Sequence, residues 1–208
     1  MIAAIAISLF TSANVVHAEP EPTADIGATY FTFGVGAYRP DSSAQFANQS
    51  GQYGVAFGLG YRATRTLAWE VEFIDAYQRL DTPASLSAPA SGNWDPRASL
   101  HMEGIAATLK YIFSHGRIEP YAGAGIGWYR SSFSTTSSGT AGSYARDEDS
   151  DDFGVHLSAG VDYYVAEQHA FGVEFRSLRV NAHFPQSGLT GTVHAGGNFL
   201  LLKYRVAF

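Results

Sequence analysis

The sequence predicts an all-β protein, an eight-stranded antiparallel up-and-down β-barrel that crosses a membrane with its strands. Three features support this prediction. Apolar residues recur at every second position in eight segments, which is the period of a β-strand. Charged residues make up only 15% of the chain, and it contains 22 glycines. The connections between segments alternate between long and short, as in a membrane barrel with short turns at one end and long loops at the other.

The first four segments each carry a clear apolar row opposite small or polar residues. They are predicted as strands over residues 29–39, 53–62, 67–77 and 102–113. A turn of only four residues, 63–66, joins the second and third strands, so these two are expected to form a hairpin. The apolar rows are Phe31, Phe33, Val35 and Ala37; Val55, Phe57, Leu59 and Tyr61; Leu67, Trp69, Val71 and Phe73; and Ile105, Ala107, Leu109, Tyr111 and Phe113.

The last four segments follow the same pattern. They are predicted as strands over residues 120–130, 153–165, 170–180 and 198–208, and the segments 114–119 and 166–169 are short turns. Polar, Gly-rich or Pro-rich composition predicts loops over 40–52, 80–99, 131–152 and 184–191. The apolar rows are Ala122, Ala124, Ile126 and Trp128; Phe153, Val155, Leu157, Ala159, Val161 and Tyr163; Phe171, Val173 and Phe175; and Leu200, Leu202, Tyr204, Val206 and Phe208.

The N-terminal segment predicts export. Ile2–Phe10 is a short apolar run, and small residues precede a cleavage site after Ala18, so residues 1–18 are predicted to be a signal peptide. No Lys or Arg precedes the run, which leaves the true translation start open. The run is too short to cross a membrane as a helix. Residues 19–27 are then a short periplasmic leader, and the barrel domain covers 28–208.

Composition excludes several classes of function. The chain has 208 residues, which corresponds to one domain. It has no cysteine, so disulfides, thiolate catalysis and cysteine-based zinc sites are excluded. The net charge is −6 and no basic cluster is visible, which argues against a nucleic-acid partner.

The alternation by itself does not say whether the apolar rows face a core or lipid. The opposite rows contain mostly Gly, Ala, Ser, Thr and Tyr, with too little charge to keep a barrel soluble in water. Their charges are of both signs, and buried charges are tolerated only when they are paired. The apolar rows are therefore predicted to face lipid, and the charges to form a lumenal network near the short turns. Its predicted members are Glu70, Glu72, Lys110, Glu174, Arg176, Lys203 and Arg205.

The end of the chain carries a family resemblance. Tyr204, Val206 and the final Phe208 share one strand face. This ending resembles the closing strand of bacterial outer-membrane barrels, in which such residues form the signal recognised by the barrel-assembly machinery. Pro120–Gly127, with sequence Pro-Tyr-Ala-Gly-Ala-Gly-Ile-Gly, and the Glu174-x-Arg176 motif resemble the OmpA/OmpX-like small eight-stranded outer-membrane proteins. The resemblance covers nearly all of the mature chain.

This resemblance implies an outer-membrane protein of a Gram-negative bacterium, inserted after secretion to the periplasm. It implies a non-enzymatic monomer without cofactor, whose lumen is filled with side chains and whose loops serve envelope structure or surface interaction. The expected partners are outer-membrane lipid and lipopolysaccharide, with the barrel-assembly machinery and periplasmic chaperones during biogenesis. The alternative is a small channel or transporter for ions or small apolar molecules.

A third hypothesis is hydrolysis of lipid A. His156-Leu157-Ser158 resembles the His-x-Ser pair of outer-membrane lipid A deacylases, in which His156 would accept the Ser158 proton and Glu167 or Glu174 would orient the ring. The Asn that follows the serine in that family is Ala159 here. Both side chains are also predicted to point into the lumen, away from a lipid substrate, so this function is disfavoured.

No metal site is predicted. The acidic run 147–152 lacks the glycine turn and ligand spacing of a calcium loop, and a solvated loop is the simpler interpretation. The histidines outside the His156 motif are scattered, without a pair at metal-ligand spacing on one strand face.

Overall fold

The computed structural model describes residues 26–40, 49–80, 94–113, 116–139, 142–183 and 192–208. The predicted signal peptide therefore lies outside the described residues. Within these ranges, no helix is long and apolar enough to cross a membrane. The strands are β1 (Thr29–Pro40), β2 (Gln49–Arg62), β3 (Leu67–Leu80), β4 (Trp94–Ile112), β5 (Ile118–Gly139), β6 (Gly142–Ala166), β7 (His169–His183), β8 (Thr192–His194) and β9 (Gly197–Ala207).

Eight of these strands close into an antiparallel barrel. From β1 to β7, each strand pairs with the next one along the chain. The barrel closes because β9 pairs with β7 on one side and with β1 on the other, from Tyr30↔Ala207 to Pro40↔Gly197. The short β8 pairs with the end of β7. The predicted eight-stranded up-and-down barrel is confirmed.

The two faces of the barrel differ as the alternation predicts. On the outside, Leu157 and Leu202 each keep 67% of their surface exposed, whereas the lumenal Glu70 and Arg176 keep 1%. Outward aromatic residues cluster at the end with the short turns, where Trp69 packs on Tyr61 with ring centroids 5.9 Å apart. These features place an apolar band against lipid, with an aromatic girdle at its periplasmic edge.

Several strands are longer than predicted. β4 begins at Trp94, and β5 and β6 continue to Gly139 and Gly142, so that most of the predicted loop 131–152 is a paired hairpin. The loop prediction is wrong there because this part of the sheet extends beyond the apolar band. Both faces then carry polar residues, and the period-two apolar signal disappears while the backbone pairing continues.

Inward-facing glycines make room for large lumenal side chains. A Cβ atom at Gly60 would overlap the ring of Tyr30, and one at Gly160 would overlap the ring of Tyr121. A Cβ atom at Gly54 would lie only 2.8 Å from Cδ1 of Phe199. These three glycines therefore occupy lumenal positions that face a bulky aromatic side chain from another strand.

Candidate functional site in the barrel lumen

Eight charged side chains meet in the half of the lumen nearest the short turns. None of them exposes more than 6% of its surface. Four are carboxylates and four are cations, so the layer as a whole is neutral. Its members are Glu70, Glu72, Asp162 and Glu174, with Lys110, Arg176, Lys203 and Arg205.

Lys203 lies at the centre of this charge layer. Its Nζ atom is 3.2 Å from Oε2 of Glu70, 3.0 Å from Oε1 of Glu72 and 3.3 Å from Oε2 of Glu174. An ammonium group has three protons to donate, so a single lysine bridges all three glutamates. These glutamates come from β3 and β7, and Lys203 comes from β9.

Two further cations complete the pairing of the glutamates. The Nζ atom of Lys110 is 2.7 Å from Oε2 of Glu70 and 3.3 Å from Oε2 of Glu174. Arg176 bonds to Glu72 through Nη2, which also lies 2.6 Å from Oε1 of Glu174. Each glutamate therefore contacts at least two cations, which is the arrangement that a charge without access to water requires.

Arg205 links the layer to β6. Its Nη2 atom is 2.7 Å from Oδ2 of Asp162 and 3.4 Å from Oε1 of Glu70. Its Nη1 atom donates a hydrogen bond of 3.1 Å to the hydroxyl of Tyr164. The guanidinium thus joins two carboxylates that come from different strands.

Two tyrosines supply further donors to the glutamates. The hydroxyl of Tyr30 donates to Oε1 of Glu70 at 2.9 Å, and that of Tyr121 donates to Oε2 of Glu174 at 2.8 Å. The Nζ atom of Lys110 also lies 4.2 Å from the centre of the Tyr121 ring, within the range of a cation–π interaction.

A second buried ion pair lies closer to the short turns. Nη1 and Nη2 of Arg62 donate to the two carboxylate oxygens of Glu119, at 2.7 and 2.9 Å. Nη2 also donates to the carbonyl oxygen of Arg65 at 2.9 Å. Since β2 and β5 are not neighbours in the sheet, this bidentate pair spans the lumen.

An apolar cluster fills the lumen on the extracellular side of the charge layer. Its side chains are almost completely buried, and the rings of Tyr38 and Phe199 pack with centroids 4.6 Å apart. The sequence predicted an inward row of small and polar residues, so this cluster was missed. Its large members are Tyr38, Ile74, Met102, Tyr129, Leu178, Val180, Phe199 and Leu201.

All seven charged residues predicted for the lumenal network lie in the charge layer. The structure adds Asp162 to them, together with the separate pair of Arg62 and Glu119. The alternation already predicts Asp162 and Arg62 on the inward rows of β6 and β2, but neither was assigned to the network. Glu119 was assigned to the turn 114–119, whereas β5 already begins at Ile118.

The His156–Ser158 pair does not form a nucleophile and base. Nε2 of His156 is 2.8 Å from Oγ1 of Thr108, and among the described residues Oγ of Ser158 has no hydrogen-bond partner. Of the two candidate orienting carboxylates, Glu174 belongs to the charge layer and Glu167 is exposed in the β6–β7 turn. Among the described residues, His156 therefore contacts Thr108 and not Ser158.

The acidic run lies on β6 and not on a solvated loop. Asp147, Asp149 and Asp151 all point outward and are exposed. Nη2 of Arg130 on β5 donates to Oδ2 of Asp149 at 2.9 Å. Hydrogen bonds from Ser132 and Arg130 lower the pKa of Asp149, which keeps this carboxylate ionised.

A mixed set of potential metal ligands lies on the outer surface. Nε2 of His101 is 2.7 Å from Oδ2 of Asp75, and the ligand atoms of these residues and Glu103 all lie within 4.8 Å of one another. His101 and Glu103 are two residues apart on the same face of β4. This set was not predicted, because only one of its members is a histidine and its two carboxylates come from β3 and β4.

The closed barrel, its lipid-facing apolar band and its ion-paired lumen define a small outer-membrane β-barrel. The chain belongs to the outer membrane protein beta-barrel family, whose domain model matches residues 2–198. It is therefore a protein of the bacterial outer membrane. No curated protein matches the sequence.

Solved outer-membrane barrels share the fold. Neisserial surface protein A is 21% identical with a TM-score of 0.57, over 88% of this chain and 99% of that one. OprG from Pseudomonas aeruginosa is 14% identical with a TM-score of 0.56, over 90% and 99%. Ail, the attachment invasion locus protein of Yersinia pestis, in complex with a heparin analogue, is 12% identical with a TM-score of 0.52, over 88% and 100%. At these identities the likeness concerns the fold alone.

Glu174→Gln tests whether the charge layer is interdependent. The change leaves Arg176, Lys110 and Lys203 with one carboxylate fewer, and an uncompensated buried charge costs about 3–5 kcal/mol. We expect the free energy of unfolding, measured by urea titration in phospholipid vesicles with tryptophan fluorescence, to fall by about that amount. Glu167→Gln, at an exposed turn position, is the control and should change it little. A Glu174→Gln loss as small as that of the control would contradict the ion-paired layer.

Proposed function

We propose that this protein is a non-enzymatic outer-membrane barrel with a side-chain-filled lumen, and that it serves envelope structure or surface interaction through its extracellular part. The observation that carries this proposal is that two packed layers of side chains fill the lumen. The neutral charge layer and the apolar cluster are stacked along the barrel axis, and an eight-stranded barrel is only wide enough to hold its own side chains.

The apolar cluster argues against the channel alternative. Tyr38, Met102 and Phe199 each expose at most 1% of their surface, so ions would have to displace packed side chains to pass. Below them, the three glutamates are each held by two or three cations, and releasing one would leave unpaired charge.

The extracellular part offers a large surface for interaction. The β5–β6 hairpin continues as a paired ladder from the level of Trp128↔Phe153 to Gly139↔Gly142. Its outward side presents an acidic row on β6 with a hydrogen-bonded arginine on β5. Binding surfaces are often found on such extensions of a rigid scaffold.

The last strand carries the features that we propose are recognised during biogenesis. Phe208 exposes 73% of its surface, and its amide donates to the carbonyl oxygen of Thr29 at 3.0 Å. Tyr204 and Val206 precede it on the same outward row. An outward row that ends in an exposed phenylalanine fits recognition by the barrel-assembly machinery and by periplasmic chaperones, before the strand pairs with β1.

Planar-bilayer recordings test the closed lumen. We expect the purified protein to give no conductance steps under conditions in which a large porin conducts, because two packed layers cross its lumen. Reproducible steps that change when Glu72 or Arg205 is neutralised would instead support the channel.

Shortening the β5–β6 hairpin tests the role of the extracellular surface. Ser134 and Asp147 are opposite each other in the ladder, so replacing residues 135–146 by Asn-Gly should preserve the barrel. In a deletion strain, we expect the full chain to restore detergent resistance and cell adhesion, and the shortened chain to restore only detergent resistance. If the deletion strain shows neither defect, the proposed role is wrong.

Removal of Phe208 tests the assembly signal. We expect at least a severalfold lower yield of folded barrel in cells, measured by heat-modifiability on gels, with unchanged spontaneous folding into vesicles. The control is Glu167→Ala, a change at an exposed position in the β6–β7 turn. If the two variants give equal yields of folded barrel in cells, Phe208 is not part of the assembly signal.

A further inference from the structure

A groove of about 850 Å³ crosses the membrane-facing side of the barrel over β3–β7. Its course follows the strand register, because Trp69, Leu109, Ala124, Leu157 and Ser177 are successive cross-strand partners. Four strand spacings give this row a length of about 19 Å. Since the strands of such barrels are tilted, the row climbs from the girdle at Trp69 towards the extracellular end.

Small residues form the floor of the groove. Ala107 and Ala124 lie between larger side chains that project into the membrane, with Leu109, Ile126 and Leu157 exposed by 59%, 66% and 67%. The concavity is therefore built from a difference in side-chain size on an otherwise apolar surface. In a bilayer, hydrocarbon is the material that fills such a groove.

The extracellular end of the groove is cationic. Arg179 lines it beside Ser177 and faces outward, opposite Val155 in the ladder. Within the described ranges of the chain, Arg179 has no ion-pair partner. Arginine on the lipid-facing surface is tolerated near the interface, where its planar fork binds phosphate through paired hydrogen bonds.

We propose that this groove binds lipid A of the outer leaflet, with a phosphate on Arg179 and Ser177 and an acyl chain over Ala107 and Ala124. The polarity of the groove selects this lipid, because its cationic end lies at the extracellular side and its apolar floor descends into the membrane. The inference deepens the lipid partnership expected for the protein. It does not depend on the hairpin or on the closed lumen, so the experiments above can fail independently of it.

Lipid binding to the folded full-length barrel tests the proposal. Diphosphoryl lipid A is titrated into protein in detergent micelles, and the bound fraction is measured by native mass spectrometry. We expect Arg179→Gln to weaken binding by about tenfold, the equivalent of one charge-assisted hydrogen bond. Ala124→Leu, which fills the floor, should weaken binding severalfold with the phosphate site intact.

Matched controls lie on β1, on the other side of the barrel. Arg39 and Ala37 also face outward and are exposed, so Arg39→Gln and Ala37→Leu make the same chemical changes away from the groove. We expect both to bind like the parent, and gel mobility without heating verifies that all variants are folded. The proposal is overturned if the groove and control variants bind alike, or if phosphatidylglycerol binds as tightly as lipid A.

Discussion

Hydrocarbon offers the backbone no hydrogen-bond partner, and the architecture depends on this constraint. Each barrel strand must be paired on both sides within the membrane, which only a closed sheet achieves. The double pairing of β9 with β1 and β7 provides the closure. With eight strands the enclosed space is narrow, so the inward side chains must fill it, and the outward ones must suit lipid.

The narrow lumen explains why its charges form a complete set. A charge removed from water is costly unless it is paired, and here four carboxylates face four cations, with the eight residues on five strands. Buried ion pairs are weak evidence for added stability, but an incomplete network is strongly destabilising. The apolar cluster above the charge layer contains no charge and fills the lumen by packing alone. Together the two layers close the lumen.

Because the lumen is filled, the surfaces available to other molecules are outside. The tilt of the strands turns a single cross-strand row into a diagonal path between the two membrane interfaces, which is how the groove joins Trp69 to Arg179. Above the membrane, the same sheet continues as the β5–β6 hairpin. The hairpin follows from extending this ladder beyond the part that the bilayer constrains.

The sequence by itself determined the faces of the membrane-spanning segments, because lipid imposes a strict period of two on residues such as Phe57 and Leu202. It also indicated seven of the eight charges of the lumenal layer, whereas Glu119 was assigned to a turn and its pairing with Arg62 was not predicted. The strand lengths above the membrane were decided only in the tertiary structure, since water imposes no alternation there. The ion pairs were also decided only in the tertiary structure. The carboxylates that Lys203 and Arg62 contact across the lumen depend on the register and stagger with which the barrel closes.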